Sequence, residues 1–78
     1  MKPTISELQP LFYKALGKKA DITENTIKKD MPLWDSINHI TLISEIQDHF
    51  KITFKISEIQ KIDSVKTLME ILDTKLPG

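Results

Sequence analysis

Hydrophobic positions recur at helical spacing in three stretches of this chain, and a polar tract separates the first stretch from the second. Over residues 4–16, Ile5, Leu8, Leu11, Phe12, Ala15 and Leu16 fall on one face and predict an amphipathic helix. Thr4 and Glu7 stand at capping-box spacing, and Gly17 follows as a natural stop. Pro10 disagrees, because it deletes one internal hydrogen bond and predicts a bend or an irregular first turn. Residues 36–50 carry the clearest helical pattern. With about 100° between successive residues, Leu42, Ile43, Ile46 and Phe50 share one arc, while Thr41, Ser44, Glu45 and Asp48 share the other. Asp35 or Ser36 supplies the cap. Two residues break the pattern: Ile37 stands among the polar positions and His39 among the apolar ones.

The tract at residues 18–33 is sparsely apolar, with Ile22, Ile27 and Met31 as isolated anchors, and reads as a long ordered loop that delivers the chain to Ser36. Pro32 biases Met31 towards an extended conformation and keeps the second helix from starting early. Beyond Phe50, residues 52–56 alternate apolar and polar as an extended connection, too isolated to build a sheet. Ser57 is placed to cap a one-turn helix reaching Gln60, with Ile59 and Ile62 as core anchors. Asp63 and Ser64 offer a cap for a last helix that buries Val65, Leu68, Ile71, Leu72 and Leu76 before Pro77 and Gly78. The expected fold is all-α, a bundle of three longer helices and one short one, with a long loop joining the first two. No composition shift, repeat or low-complexity tract divides residues 1–78, which are expected to form a single domain.

Composition removes several classes of function. A chain of 78 residues supports one modest core but does not enclose a sizeable substrate cavity between two packed layers. Without cysteine there is no disulfide framework and no thiolate zinc site, and two histidines make a poor metal case. Eleven lysines balance eleven acids and arginine is absent, which argues against a nucleic-acid partner. The first residues lack an apolar signal core and no apolar run reaches membrane-spanning length. A soluble, cytoplasmic monomer is expected.

The candidate chemistry centres on Trp34-Asp35-Ser36-Ile37, where the loop becomes the second helix. Capping alone explains a serine at such a point, stabilising the helix by about 1 kcal/mol. The position also suits an added phosphate, since free amides and the positive end of the helix dipole favour an anion there. Such an attachment would replace the cap with a stronger one. Asp35, Ser36 and His39 are the residue types of a hydrolytic triad, but crowding into five residues prevents the base from lining up behind the nucleophile and the acid behind the base. No glycine-rich turn supplies an oxyanion hole.

Asp35-Ser36-Ile37 heads a helix ending at Phe50, and Ile52, Ile59, Ile62, Asp63-Ser64-Val65 and a final amphipathic helix follow. Over nearly the whole chain this order resembles an acyl or peptidyl carrier protein. In that family the serine of Asp-Ser-Leu carries a 4′-phosphopantetheine arm, and acyl groups ride on its terminal thiol as thioesters. The resemblance implies that Ser36 is the attachment residue and that Asp35 orients the modifying enzyme and helps to cap the helix. It implies no catalytic residue and no metal in this chain. A separate phosphopantetheinyl transferase, using coenzyme A and magnesium, would activate the serine. Acyl-loading and acyl-transferring enzymes would dock on the second helix around Ile37, Thr41, Ser44, Glu45 and Asp48. A flexible arm raises the effective concentration of cargo at each partner's active site, so a carrier needs none of its own. The competing expectation is an unmodified small helical interaction module, in which Ser36 is only a cap.

The chain departs from the family pattern in two respects. Leu33-Trp34 stands where the family often has glycine two residues before the aspartate. Trp34 is read as a plug over the top of the bundle rather than an exposed contact. The second helix keeps only Glu45 and Asp48, whereas typical fatty-acid carriers present several carboxylates there. Weaker electrostatic steering is expected, and with it a specialised pathway rather than housekeeping fatty-acid synthesis. Ile37 reads as a partner contact, His39 as a hydrogen-bonded residue of the first turn, and His49 as a solvated helix-end residue. Ile43, Ile46, Phe50, Phe54, Ile59, Ile62 and Leu68 are core by default, although the same residues are placed to line a space for cargo.

Overall fold

Thr4 and Glu7 close the capping box that their spacing predicts. In the computed structural model, which describes residues 3–77, the Glu7 amide donates to Thr4 Oγ1 at 3.2 Å and the Thr4 amide to Glu7 Oε1 at 3.3 Å. Two amides that the first turn cannot satisfy internally are thereby paired. The helix that follows, α1, runs over Ile5–Leu16 with Pro10 inside it. The proline is exposed and deletes one bond of the ladder without ending the helix. Leu8, Leu11, Phe12 and Leu16 are buried, with Ile5 and Ala15 packed against them. Gly17 then stops the helix at φ 114° and ψ 166°, a conformation open essentially to glycine alone, and returns its amide to Tyr13 O.

The long loop is tied to α1 by two side chains, Tyr13, which donates to Asp21, and Gln9. Gln9 donates through Nε2 to Ala20 O and accepts at Oε1 from the Ile22 amide, both at 2.8 Å. Ala20 and Ile22 are buried as a result. Met31 is half-buried, but Ile27 corrects the expected set of side-chain anchors: it is 38% exposed and is held by its backbone instead. Ile27 forms an isolated antiparallel bridge with Ser64, in which the Lys28 amide donates to Asp63 O at 2.8 Å and the Val65 amide to Thr26 O at 2.9 Å. A short 3-10 turn, Lys28–Asp30, leads onward, and the Trp34 amide donates to Met31 O.

Helix α2 covers Ser36–Phe50, and its cap is Asp35, whose carboxylate accepts from the Asn38 amide at 2.8 Å. Ser36 is the first helical residue rather than the cap. Leu42, Ile43 and Ile46 are buried in the core, α2 packs against α1, and Phe50 is half-buried. Lys51 ends the helix in the left-handed region at φ 58°. The connection beyond covers residues 52–55 and turns Phe54 inward, while Ile56, expected as its last residue, is exposed and opens the next helix.

Helix α3 is short, Ile56–Lys61, and starts earlier than Ser57 suggested. Lys55 takes the cap position, its amide donating to Glu58 Oε1 at 2.8 Å, so Ser57 lies exposed inside the first turn. Helix α4, Val65–Lys75, is capped by Ser64, whose hydroxyl accepts from the Thr67 amide. It buries Val65, Leu68 and Leu72 as expected, together with Met69, and leaves Ile71 and Leu76 only partly covered. Lys75 ties α4 to α3 through an ion pair with Glu58 at 2.9 Å. Three longer helices and one short one therefore make an all-α bundle, with no strand among the described residues.

Candidate functional site

The junction between loop and α2 is braced from below and open above. Trp34 is 2% exposed, and its ring meets Phe12 of α1 edge-on, with centroids 5.1 Å apart at 86°. The indole is the plug its sequence position suggested. Its Nε1–H donates to His39 Nδ1 at 2.8 Å, and His39 Nε2 lies 2.9 Å from Ile59 O on α3. An indole nitrogen only donates and a carbonyl only accepts, so these partners fix the tautomer: Nδ1 is bare and Nε2 carries the hydrogen. His39 is 8% exposed, a buried polar residue whose two ring nitrogens are both used. It is no base for Ser36. Asp35 is committed to Asn38, so the arrangement of a triad is absent at this junction.

Asn38 supplies a second brace. Its amide side chain donates through Nδ2 to Leu33 O at 2.8 Å, while its backbone amide is held by Asp35. With the loop fixed on both sides, Asp35, Ser36 and Ile37 face outward. Ser36 Oγ makes no hydrogen bond among the described residues. The reading in which an attached phosphate displaces a serine cap is therefore corrected. An anion on Ser36 finds the first-turn amides and the positive end of a four-turn helix while the Asp35 cap stays in place.

Ser36 also lies on the wall of an open cleft of about 430 Å³, formed with Lys28, His39, Ile40, Ile59, Gln60, Ile62 and Asp63. The cleft runs between α2 and α3. On the outer face of α2, Ile37 is 78% exposed, and Thr41, Ser44 and Asp48 are exposed beside it, with Glu45 half-covered. The five expected contact residues thus share one exposed face. Ile40 joins them at 57% exposure and was missed in the sequence. Its signal was there: it stands four residues after Ser36 and three after Ile37, hence on the same side of the helix.

Two ionisable groups away from the junction are shifted. The Lys55 amide and the Lys75 ammonium hold the Glu58 carboxyl below the usual range. Tyr13 donates its hydroxyl hydrogen to the Asp21 carboxylate, which pushes the phenol up. No group of three or more metal-ligating side chains occurs among the described residues, and no described helix is long and apolar enough to cross a membrane.

No protein-family model matches the sequence, and no curated protein matches it significantly. Structure is more informative. The chain is similar to the solution NMR structure of the holo acyl carrier protein from Geobacter metallireducens, with a TM-score of 0.81 and 34% identity, over 94% of this chain and 85% of that one. Helix order, bundle geometry and identity over that length define a carrier rather than an enzyme. The chain belongs to the acyl carrier protein family.

Proposed function

We propose that Ser36 carries a 4′-phosphopantetheine arm and that the protein holds acyl or aminoacyl groups on it as thioesters for delivery to partner enzymes. The observation that carries this reading is an exposed serine hydroxyl without an internal partner, at the head of a well-capped helix, in a chain of the acyl carrier family. The similar protein is a holo form, which supports the same kind of arm here. Coenzyme A is the donor. The Ser36 oxygen attacks the phosphorus of the pyrophosphate that bears the pantetheine, the bond to the adenosine side breaks, and adenosine bisphosphate leaves. The serine proton passes to a base on the phosphopantetheinyl transferase, because His39 has no free nitrogen to take it.

Asp35 serves this reaction twice, by capping α2 and by placing a carboxylate beside the hydroxyl for the transferase to recognise. Ile37, Thr41, Ser44, Glu45 and Asp48 form the docking face for the transferase and for acyl-loading and acyl-transferring enzymes. That face has two carboxylates and the chain has no net charge, which favours a specialised pathway with its own partners over housekeeping fatty-acid synthesis. The protein works as a cytoplasmic monomer in this reading. Incubation with coenzyme A, magnesium and a broad-specificity transferase tests it: wild type gains one arm by intact mass and Ser36→Ala gains none. An interaction module without an arm predicts no gain in either.

A further inference from the structure

The cleft that starts at Ser36 stops short of the bundle interior. His39 and Ile62 form its floor, and Leu42, Ile46, Phe54 and Leu68, all buried, line no part of it. A continuous run of contacts ties that floor to the core. Phe12 of α1 meets the Trp34 ring, Trp34 Nε1–H donates to His39 Nδ1 at 2.8 Å, and His39 Nε2–H donates to Ile59 O of α3 at 2.9 Å. A chain entering between α2 and α3 near Ser36 meets this run first. Admitting it would part His39 from Ile59 and strip partners from an imidazole N–H and a part-buried carbonyl. An alkyl chain offers neither of them a replacement.

Building on the carrier reading of Ser36, we propose that the Trp34–His39–Ile59 hydrogen-bond chain closes the bundle to the cargo, so that the acyl group lies in the outer cleft over Ile40 and Ile59. His39 is the positioning residue. It acts through the two elements it joins rather than by touching the arm's reacting atoms. The outer cleft sets Ile40, Ile59 and Ile62 beside His39, within a rim of Lys28, Gln60 and Asp63, which suits short, polar or aminoacyl groups as well as alkyl ones. Longer saturated chains gain no shelter from the core. The thioester stays open to partners and to water whatever the length of its acyl group.

The test uses the arm-bearing protein, made by transfer from acetyl- or octanoyl-coenzyme A and confirmed by mass. Failure at that first step contradicts the carrier reading and not the closure of the bundle. With the arm on, cleavage of the thioester by hydroxylamine proceeds at rates within about twofold for the two acyl groups in wild type, and octanoyl protons show no NOE to Leu42, Ile46 or Leu68. In His39→Leu, which deletes both hydrogen bonds, octanoyl enters and its cleavage slows about tenfold or more relative to acetyl. His39→Gln, whose amide both accepts and donates, restores the wild-type pattern. A wild-type octanoyl thioester protected about tenfold over acetyl, or showing those NOEs, overturns the proposal. So does a folded His39→Leu with no chain-length effect. Should His39→Leu not fold, the wild-type rates and NOEs decide alone.

Discussion

The indole N–H of Trp34 donates to Nδ1 of His39 at 2.8 Å, joining the residue just before Asp35-Ser36 to one in the first turn after it, beneath the exposed serine. The bond explains both oddities of the sequence around the serine. A large aromatic residue stands in the approach because it fills the space over Phe12, and a histidine sits in the apolar arc of α2 because the indole needs an acceptor there. Trp34→Phe removes the donor and leaves a buried ring nitrogen unpaired. It is expected to cost about 1–3 kcal/mol from that group, plus the lost packing of the larger ring. Urea unfolding of Trp34→Phe, His39→Leu and the double variant checks this, and the cycle should show coupling between the two positions. Additive costs would mean the bond carries little.

The cap and the proposed attachment residue are separable by mutation. Asp35 accepts the Asn38 amide, and Ser36 Oγ accepts nothing among the described residues. Asp35→Ala is expected to lose about 1 kcal/mol of stability. Ser36→Ala is expected to stay within about 0.5 kcal/mol of wild type. Denaturant midpoints for the two variants decide the point. A cost of about 1 kcal/mol for Ser36→Ala would return the serine to a capping role.

Glu58 links α3 to α4 and makes that link sensitive to acid. Its folded-state value is depressed by the Lys55 amide and by Lys75, so its contribution is fully present above the ordinary carboxylate range and is lost as pH falls through the depressed value. The pair is partly exposed, and the effect should be small and weakened by salt. Amide exchange in α3 should accelerate on acidification in wild type and change less in Glu58→Gln. Equal acceleration in both would remove Glu58 from the account.

Ile37 is expected to matter to partners and not to folding. It is 78% exposed, so Ile37→Ala should leave the denaturant midpoint unchanged while kcat/KM of the phosphopantetheinyl transferase falls about tenfold. With few carboxylates on the docking face, that rate should depend only weakly on ionic strength. A steep loss of rate in moderate salt would contradict the weak-steering argument.

Much of this architecture was legible in the sequence because its determinants are local. The Thr4–Glu7 box, the Gly17 stop, the Ser64 cap and the bounds of α2 all depend on residues within a turn of one another. What escaped depends on pairing across the chain. Ile27 looked like a side-chain anchor, but its backbone bridge to Ser64 leaves no periodic trace. The start of α3 was misplaced at Ser57 because serine is a common cap, whereas Glu58 reaches back to the Lys55 amide. At the candidate site, Ser36 was singled out by its position in the motif and Ile37 by that position and by its place among the polar residues of α2. Trp34 and His39 were each singled out, but their partnership requires the turn that brings the ring nitrogens together. Ile40 was not placed on either arc of α2 and so escaped notice, although it is 57% exposed.

The central claim is that Ser36 bears the arm. Intact mass after incubation with coenzyme A, magnesium and a pantetheinyl transferase tests it most directly, with wild type, Ser36→Ala and Asp35→Ala in parallel. The account predicts one added phosphopantetheine on wild type, none on Ser36→Ala, and slowed addition on Asp35→Ala. An unchanged wild-type mass with several active transferases, or an arm that still appears on Ser36→Ala, would contradict it.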